Sequence, residues 1–113
     1  MEMKKEEFLY PEFEFLAKKD PEFYQRFISL ARYPIEKGTF LDLKTKLVIP
    51  MIILAYRGEG YGVYKHIKRA LELGMTVEQI LEAFQVALLP GGASTLFYGL
   101  EALLKVEQES LIK

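Results

Sequence analysis

The chain of 113 residues has no cysteine, no tryptophan and no asparagine, and only one histidine, His66. Without cysteine there is no disulfide, no thiolate nucleophile and no thiolate metal ligand, which removes whole classes of mechanism. One imidazole and scattered glutamates offer no ligand spacing, so no metal and no cofactor are expected. No apolar run reaches the roughly 20 residues a membrane span needs. The opening MEMKKEEF lacks the apolar centre of a signal peptide, which points to a cytoplasmic protein with no membrane partner. An excess of one charge is also missing: 15 basic and 16 acidic residues give a formal net charge of -1. That balance gives no reason to expect a nucleic-acid partner.

What the chain does have is apolar side chains, 50% of all residues. A chain of this length reads as a single domain, 1–113, with no linker or low-complexity segment, able to bury roughly two thirds of the surface it exposes when unfolded. So much apolar surface on so small a domain suggests that part of it lies between subunits. Acidic residues that are nearly all Glu, set against many Lys, resemble a heat-adapted composition.

The pattern is helical throughout, with no segment of strand period. Pro11 with Glu12 and Glu14 suits a helix start. Asp20-Pro21-Glu22 repeats the signal, with Asp as N-cap and Pro in the first turn. That second helix places Phe23, Phe27, Leu30 and Ala31 on one face, and Pro34 predicts an end near Tyr33. A third helix from Asp42 is apolar nearly all round between Leu47 and Tyr56, as a central buried helix is, with a kink or break at Pro50. Gly58, Gly60 and Gly62 read as a permissive connection. The next helix buries Val63, Ile67, Ala70 and Leu71 and stops at Gly74. Thr76 and Gln79 form a capping box for a helix striped by Val77, Ile80, Leu81, Phe84, Ala87 and Leu88, which Pro90-Gly91-Gly92 ends. A long final helix is marked by Ala93, Leu96, Phe97, Leu100, Leu103 and Leu104, with fraying expected from Glu107.

The run Leu41-Asp42-x-Lys44-Thr45-Lys46, then a buried helix, a helix with His66, Ala70 and Gly74, then Thr76-x-Glu78-Gln79-Ile80-x-Glu82-Ala83 and Gly91-Gly92, resembles the carboxymuconolactone decarboxylase and AhpD-like family. The similarity covers roughly residues 40–104. It implies an all-α subunit of about six helices, assembled as a homo-oligomer, a trimer or a hexamer in many members.

The resemblance also implies positions for chemistry. In the family's redox branch a Glu on the central helix and a CxxC pair precede the histidine by fixed spacings; those positions here hold Leu47, Glu59 and Gly62. A CxxC peroxidase works through thiolate attack and disulfide formation, so thiol peroxidase activity is expected to be absent. The decarboxylase branch tends to carry a carboxylate one turn before the histidine, and that position is again Gly62. Glu59, seven residues before His66, would share its face if the helix were continuous, although three glycines argue against continuity. A cofactor-free lyase acting on a carboxylated or lactone-like metabolite could use His66 as proton donor, Glu59 as its orienting partner, and Arg57 or Lys65 as anion anchor. Tyr61 and Tyr64 could supply pocket walls. Against this stands a non-catalytic oligomeric member that binds a small-molecule ligand or a protein, in which His66 is an ordinary boundary residue. Glu82 reads as a solvated charge, and Lys44 and Lys46 as an exposed first turn.

Overall fold

A computed structural model describes residues 10–112, with side chains to residue 110. The MEMKKEEF segment lies outside the described residues. Seven helices and no strand occur among these residues: α1 (Pro11–Lys19), α2 (Pro21–Lys37), α3 (Leu43–Tyr56), α4 (Gly60–Glu72), α5 (Val77–Val86), α6 (Leu88–Gly91) and α7 (Ala93–Ile112). The fold is all-α, and no helix among the described residues is long and apolar enough to cross a membrane. The seventh element is the single turn α6: α5 stops at Val86, and Leu88, expected on its stripe, is exposed.

The contacts divide the chain into two units, up to Leu41 and from Asp42 onward. In the first, Asp20 caps α2 by accepting from the Phe23 amide at 3.1 Å, as its place before Pro21 predicts. Phe13 of α1 meets Phe27 of α2 edge to face, with ring centroids 5.5 Å apart. The buried side chain of α2 is Tyr24, whereas Phe23, Leu30 and Tyr33 are exposed. Helix α2 also continues past Pro34 to Lys37. A proline costs one backbone bond, and the carbonyl it orphans belongs to exposed Leu30, where water can reach it. The Gly38 amide then donates to the Pro34 carbonyl at 3.2 Å, so the last turn closes normally.

In the second unit, α3, α4, α5 and α7 enclose one core. Leu47, Met51 and Ala55 of α3, Val63, Ile67 and Ala70 of α4, Ile80 and Phe84 of α5, and Ala102, Leu103 and Val106 of α7 are its buried members. Two local signals behave as expected. The third helix starts beside Asp42, which stands just outside it as its cap and accepts from the Thr45 amide at 2.8 Å, and Thr76 and Gln79 exchange side chain-to-backbone bonds at 3.0 and 3.1 Å. Helix α3 runs unbroken through Pro50, so the expected break is absent. Nor is it buried all round: Ile49, Ile53 and Tyr56, spaced four and three residues apart, form an exposed apolar flank.

Helix α7 buries part of the expected stripe: Leu103 is in the core and Leu96 packs against it, but Phe97 and Leu104 are exposed, and Thr95, Gly99, Ala102 and Val106 face inward as well. One inward position is small for a reason. A Cβ on Gly99 would lie 2.4 Å from two ring carbons of Phe84, so glycine is what lets α5 and α7 approach. Helix α7 also persists through Glu107, where fraying was expected, and Glu109 is tied to α4.

Candidate functional site

Helix α4 organises the site, and its first turn is built by the chain around it. Gly58 takes φ +75°, a conformation an L side chain adopts at a cost, and a Cβ there would stand 3.3 Å from the Tyr98 hydroxyl. The chain therefore turns sharply after α3 beneath Tyr98 and enters α4 at Gly60. Gly60 and Gly62 are helical, contrary to the expected loose connection, and the Glu59 carbonyl accepts from the Val63 amide at 3.1 Å. Favourable burial of Val63, Ile67 and Ala70 outweighs the roughly 1 kcal/mol each helical glycine costs relative to alanine.

His66 lies on this helix, half-buried, beside the buried stripe. Burial pushes its pKa below the usual 6.5, and the Arg69 guanidinium, one turn on, pushes the same way. Both disfavour the imidazolium relative to a free imidazole. Gly62, one turn before His66, is buried and brings no side chain to it. Arg69 is a charged neighbour that the reading from sequence passed over, although a spacing of three residues on a helix is signal enough.

The other expected site residues separate into two groups. Arg57 and Glu59 pair with each other across the α3–α4 turn, Nε to Oε2 at 3.0 Å, both substantially exposed. An exposed pair of this kind contributes at most about 1 kcal/mol, so either partner can be recruited by a ligand cheaply. Tyr61 and Tyr64 lie elsewhere. His66 and Tyr64 are two residues apart, which on an α-helix puts them about 160° from each other around the axis. Tyr61 and Tyr64 line an open groove of about 500 Å³ against α7, together with Gly60, Ala102, Lys105 and Gln108.

That groove has its own polar order. The Tyr64 hydroxyl donates to Glu109 Oε1 at 2.6 Å, and this bond to a carboxylate raises the phenol's pKa above 10. Lys105 Nζ stands 4.5 Å from the centroid of the Tyr64 ring and Lys68 Nζ 5.2 Å, while Lys65 Nζ is 5.7 Å from that of Tyr61. Lys65 thus faces the tyrosine side of α4. Glu82 and Lys44 are exposed, as expected of solvated charges. Among the described residues no three His, Asp or Glu side chains gather closely enough to hold a metal ion.

Residues 21–105 match the model of the carboxymuconolactone decarboxylase family. Two uncharacterized proteins of Methanocaldococcus jannaschii are similar to the chain. One is 29% identical over 93 residues, spanning 82% of this chain and 86% of its own. The other is 33% identical over 91 residues, spanning 80% and 86%. Among solved structures, a protein of Burkholderia xenovorans LB400, provisionally named a carboxymuconolactone decarboxylase, superposes with a TM-score of 0.72 at 20% identity. That alignment covers 90% of this chain and 82% of the other, and speaks for the fold.

Proposed function

The chain belongs to the carboxymuconolactone decarboxylase family, and from that premise we propose that it is a cofactor-free lyase acting on a small carboxylated or lactone-like metabolite through His66. The observation that carries the reading is the half-buried imidazole on α4 with Arg69 one turn on, where desolvation and the guanidinium both lower its pKa. A neutral imidazole beside a guanidinium suits an anionic substrate in two ways. The guanidinium attracts the carboxylate, and the arriving negative charge raises the imidazole's pKa, so binding itself recruits the proton the reaction needs. As carbon dioxide leaves, the electron pair of the breaking carbon–carbon bond stays on the substrate carbon. The imidazolium proton fills it, and solvent restores the imidazolium. Arg69, with Arg57 held in place by Glu59, would stabilise the remaining anion.

The absence of cysteine argues against thiol chemistry at the same place. The test is carbon dioxide release from carboxymuconolactone, comparing the intact protein with His66→Gln. Loss of general acid catalysis is worth about 10²–10⁴-fold, so the variant should fall by that order. Equal rates in the two proteins would end the proposal, and peroxide turnover with a dithiol reductant should stay at the level of a heat-killed control.

A second reading, a non-catalytic oligomeric member that binds a ligand or a protein, is favoured by a specific observation. Leu47 and Gly62 are both buried, without polar groups, where family chemistry would place a relay. In either reading we propose a homo-oligomer, a trimer or a hexamer, with the exposed α3 flank of Ile49, Ile53 and Tyr56 covered by a second copy. Native mass spectrometry counts the subunits, and a monomer would remove that part.

A further inference from the structure

We propose that the groove between α4 and α7 is a second ligand site, distinct from the His66 side of α4, that takes a small aromatic carboxylate carrying a hydrogen-bond donor at the far end of its ring. The walls are suited to a flat apolar body. Tyr61 and Tyr64 stack loosely, with centroids 6.4 Å apart and planes 30° from parallel, and Ala102 and Leu104 complete the apolar lining. A volume of about 500 Å³ accommodates one ring with its substituents.

The charge pattern selects the ligand's sign. Lys65, Lys68 and Lys105 all stand over tyrosine rings rather than against carboxylates, and none of the three makes an ion pair among the described residues. Glu109, four residues beyond Lys105 on α7, is engaged by the Tyr64 hydroxyl. Lys68 also donates to the Tyr64 hydroxyl at 3.5 Å, and the three ammonium groups gathered about the two rings complement an anion attached to a ring. Lys105 is the ammonium that itself lines the groove.

Glu101 sets the other end. It lines the same groove one turn before Lys105 on α7, their Cα atoms offset by about 6 Å along the axis, and the two make no ion pair. Its Oε1 lies beside the first turn of α4, 3.8 Å from where a Cβ on Gly60 would stand. An anion at Lys105 and a hydroxyl donating to Glu101 therefore bracket one aromatic ring. Gln108, on the same face of α7, can donate or accept beside the carboxylate.

The experiment titrates the full-length protein with 4-hydroxyphenylacetate, phenylacetate, acetate and benzylamine, reading tyrosine ring and His66 resonances by NMR. The expected order of affinity is the order of that list, with shifts at Tyr61 and Tyr64 and none at His66. Lys105→Gln should weaken 4-hydroxyphenylacetate at least fivefold. Glu101→Gln should abolish the advantage of 4-hydroxyphenylacetate over phenylacetate. Both positions are exposed, so neither change disturbs the core. Acetate binding as well as phenylacetate, benzylamine binding more tightly, shifts at His66 instead, or no effect of Lys105→Gln would each overturn the assignment. Because His66 reports separately, failure here leaves the lyase reading standing, and failure of the lyase assay leaves this one.

Discussion

The two flanks of α4 solve opposite electrostatic problems with the same thirteen residues. On one, His66 sits partly out of water beside Arg69, and both influences lower its pKa. On the other, the ammonium groups of Lys65, Lys68 and Lys105 lie over the rings of Tyr61 and Tyr64, whose quadrupoles attract a cation. What separates the flanks is the buried stripe of Val63, Ile67 and Ala70. Both flanks lie within residues 21–105, which match the family, so the match does not rank one above the other. The tyrosine flank has to be understood from its own contacts.

The strongest way to break the comparison is to remove the scaffold shared by both flanks. Phe84→Ala empties the site against Gly99 and should cost about 3–5 kcal/mol, read as a fall in the denaturation midpoint with loss of ordered signals from both flanks. Tyr64→Phe acts on one flank. It deletes the 2.6 Å bond to Glu109 and should cost about 1–3 kcal/mol, with the His66 titration unmoved. In hydrogen exchange, the last turns of α7 should lose protection. Thr76→Ala, which removes half of the capping box outside both flanks, should cost about 1 kcal/mol by denaturant unfolding and shift neither.

The smallest effect is in pH. His66 has a folded pKa below its unfolded value, so the unfolded chain binds the proton more readily. The stability this group contributes is present above the unfolded value of 6.5 and is lost as pH falls through the folded one. Asp42, lowered by the Thr45 amide, follows the same sign in a more acidic window. Tyr64 runs the other way: its contribution is complete below pH 10 and is lost as pH rises through its raised folded value. Urea unfolding as a function of pH should therefore weaken at both ends, and Tyr64→Phe should remove only the alkaline part.

The caps at Asp20 and Thr76 were legible because each is a contact between residues three apart, written in local sequence; Asp42, read only as a helix start, makes a contact of the same kind. The buried stripe of α4 was legible for the same reason, through its helical period. The inward face of α7 was legible only in part: Leu96 and Leu103 point as read, but reading for large apolar residues also picked exposed Phe97 and Leu104. It passed over Gly99, which is small because Phe84 must fit over it. Pro34 was misread as a terminator because a lost bond matters less where water replaces it. At the site, His66 stood out by being the only imidazole. The separation of Tyr64 from His66 follows from helix geometry, whereas the meeting of Tyr64 with Glu109, 45 residues away, depends on tertiary packing that no local pattern carries.

The account rests on the surroundings of His66 disfavouring its imidazolium form, and one measurement addresses that directly: an NMR titration of the sole imidazole in the intact protein and in Arg69→Gln. The midpoint should lie below 6.5 in the intact protein and rise in the variant while staying below 6.5, because desolvation is the larger influence and remains. A midpoint at or above 6.5 in the intact protein would contradict the account, since the imidazole would then be solvated or paired with an anion.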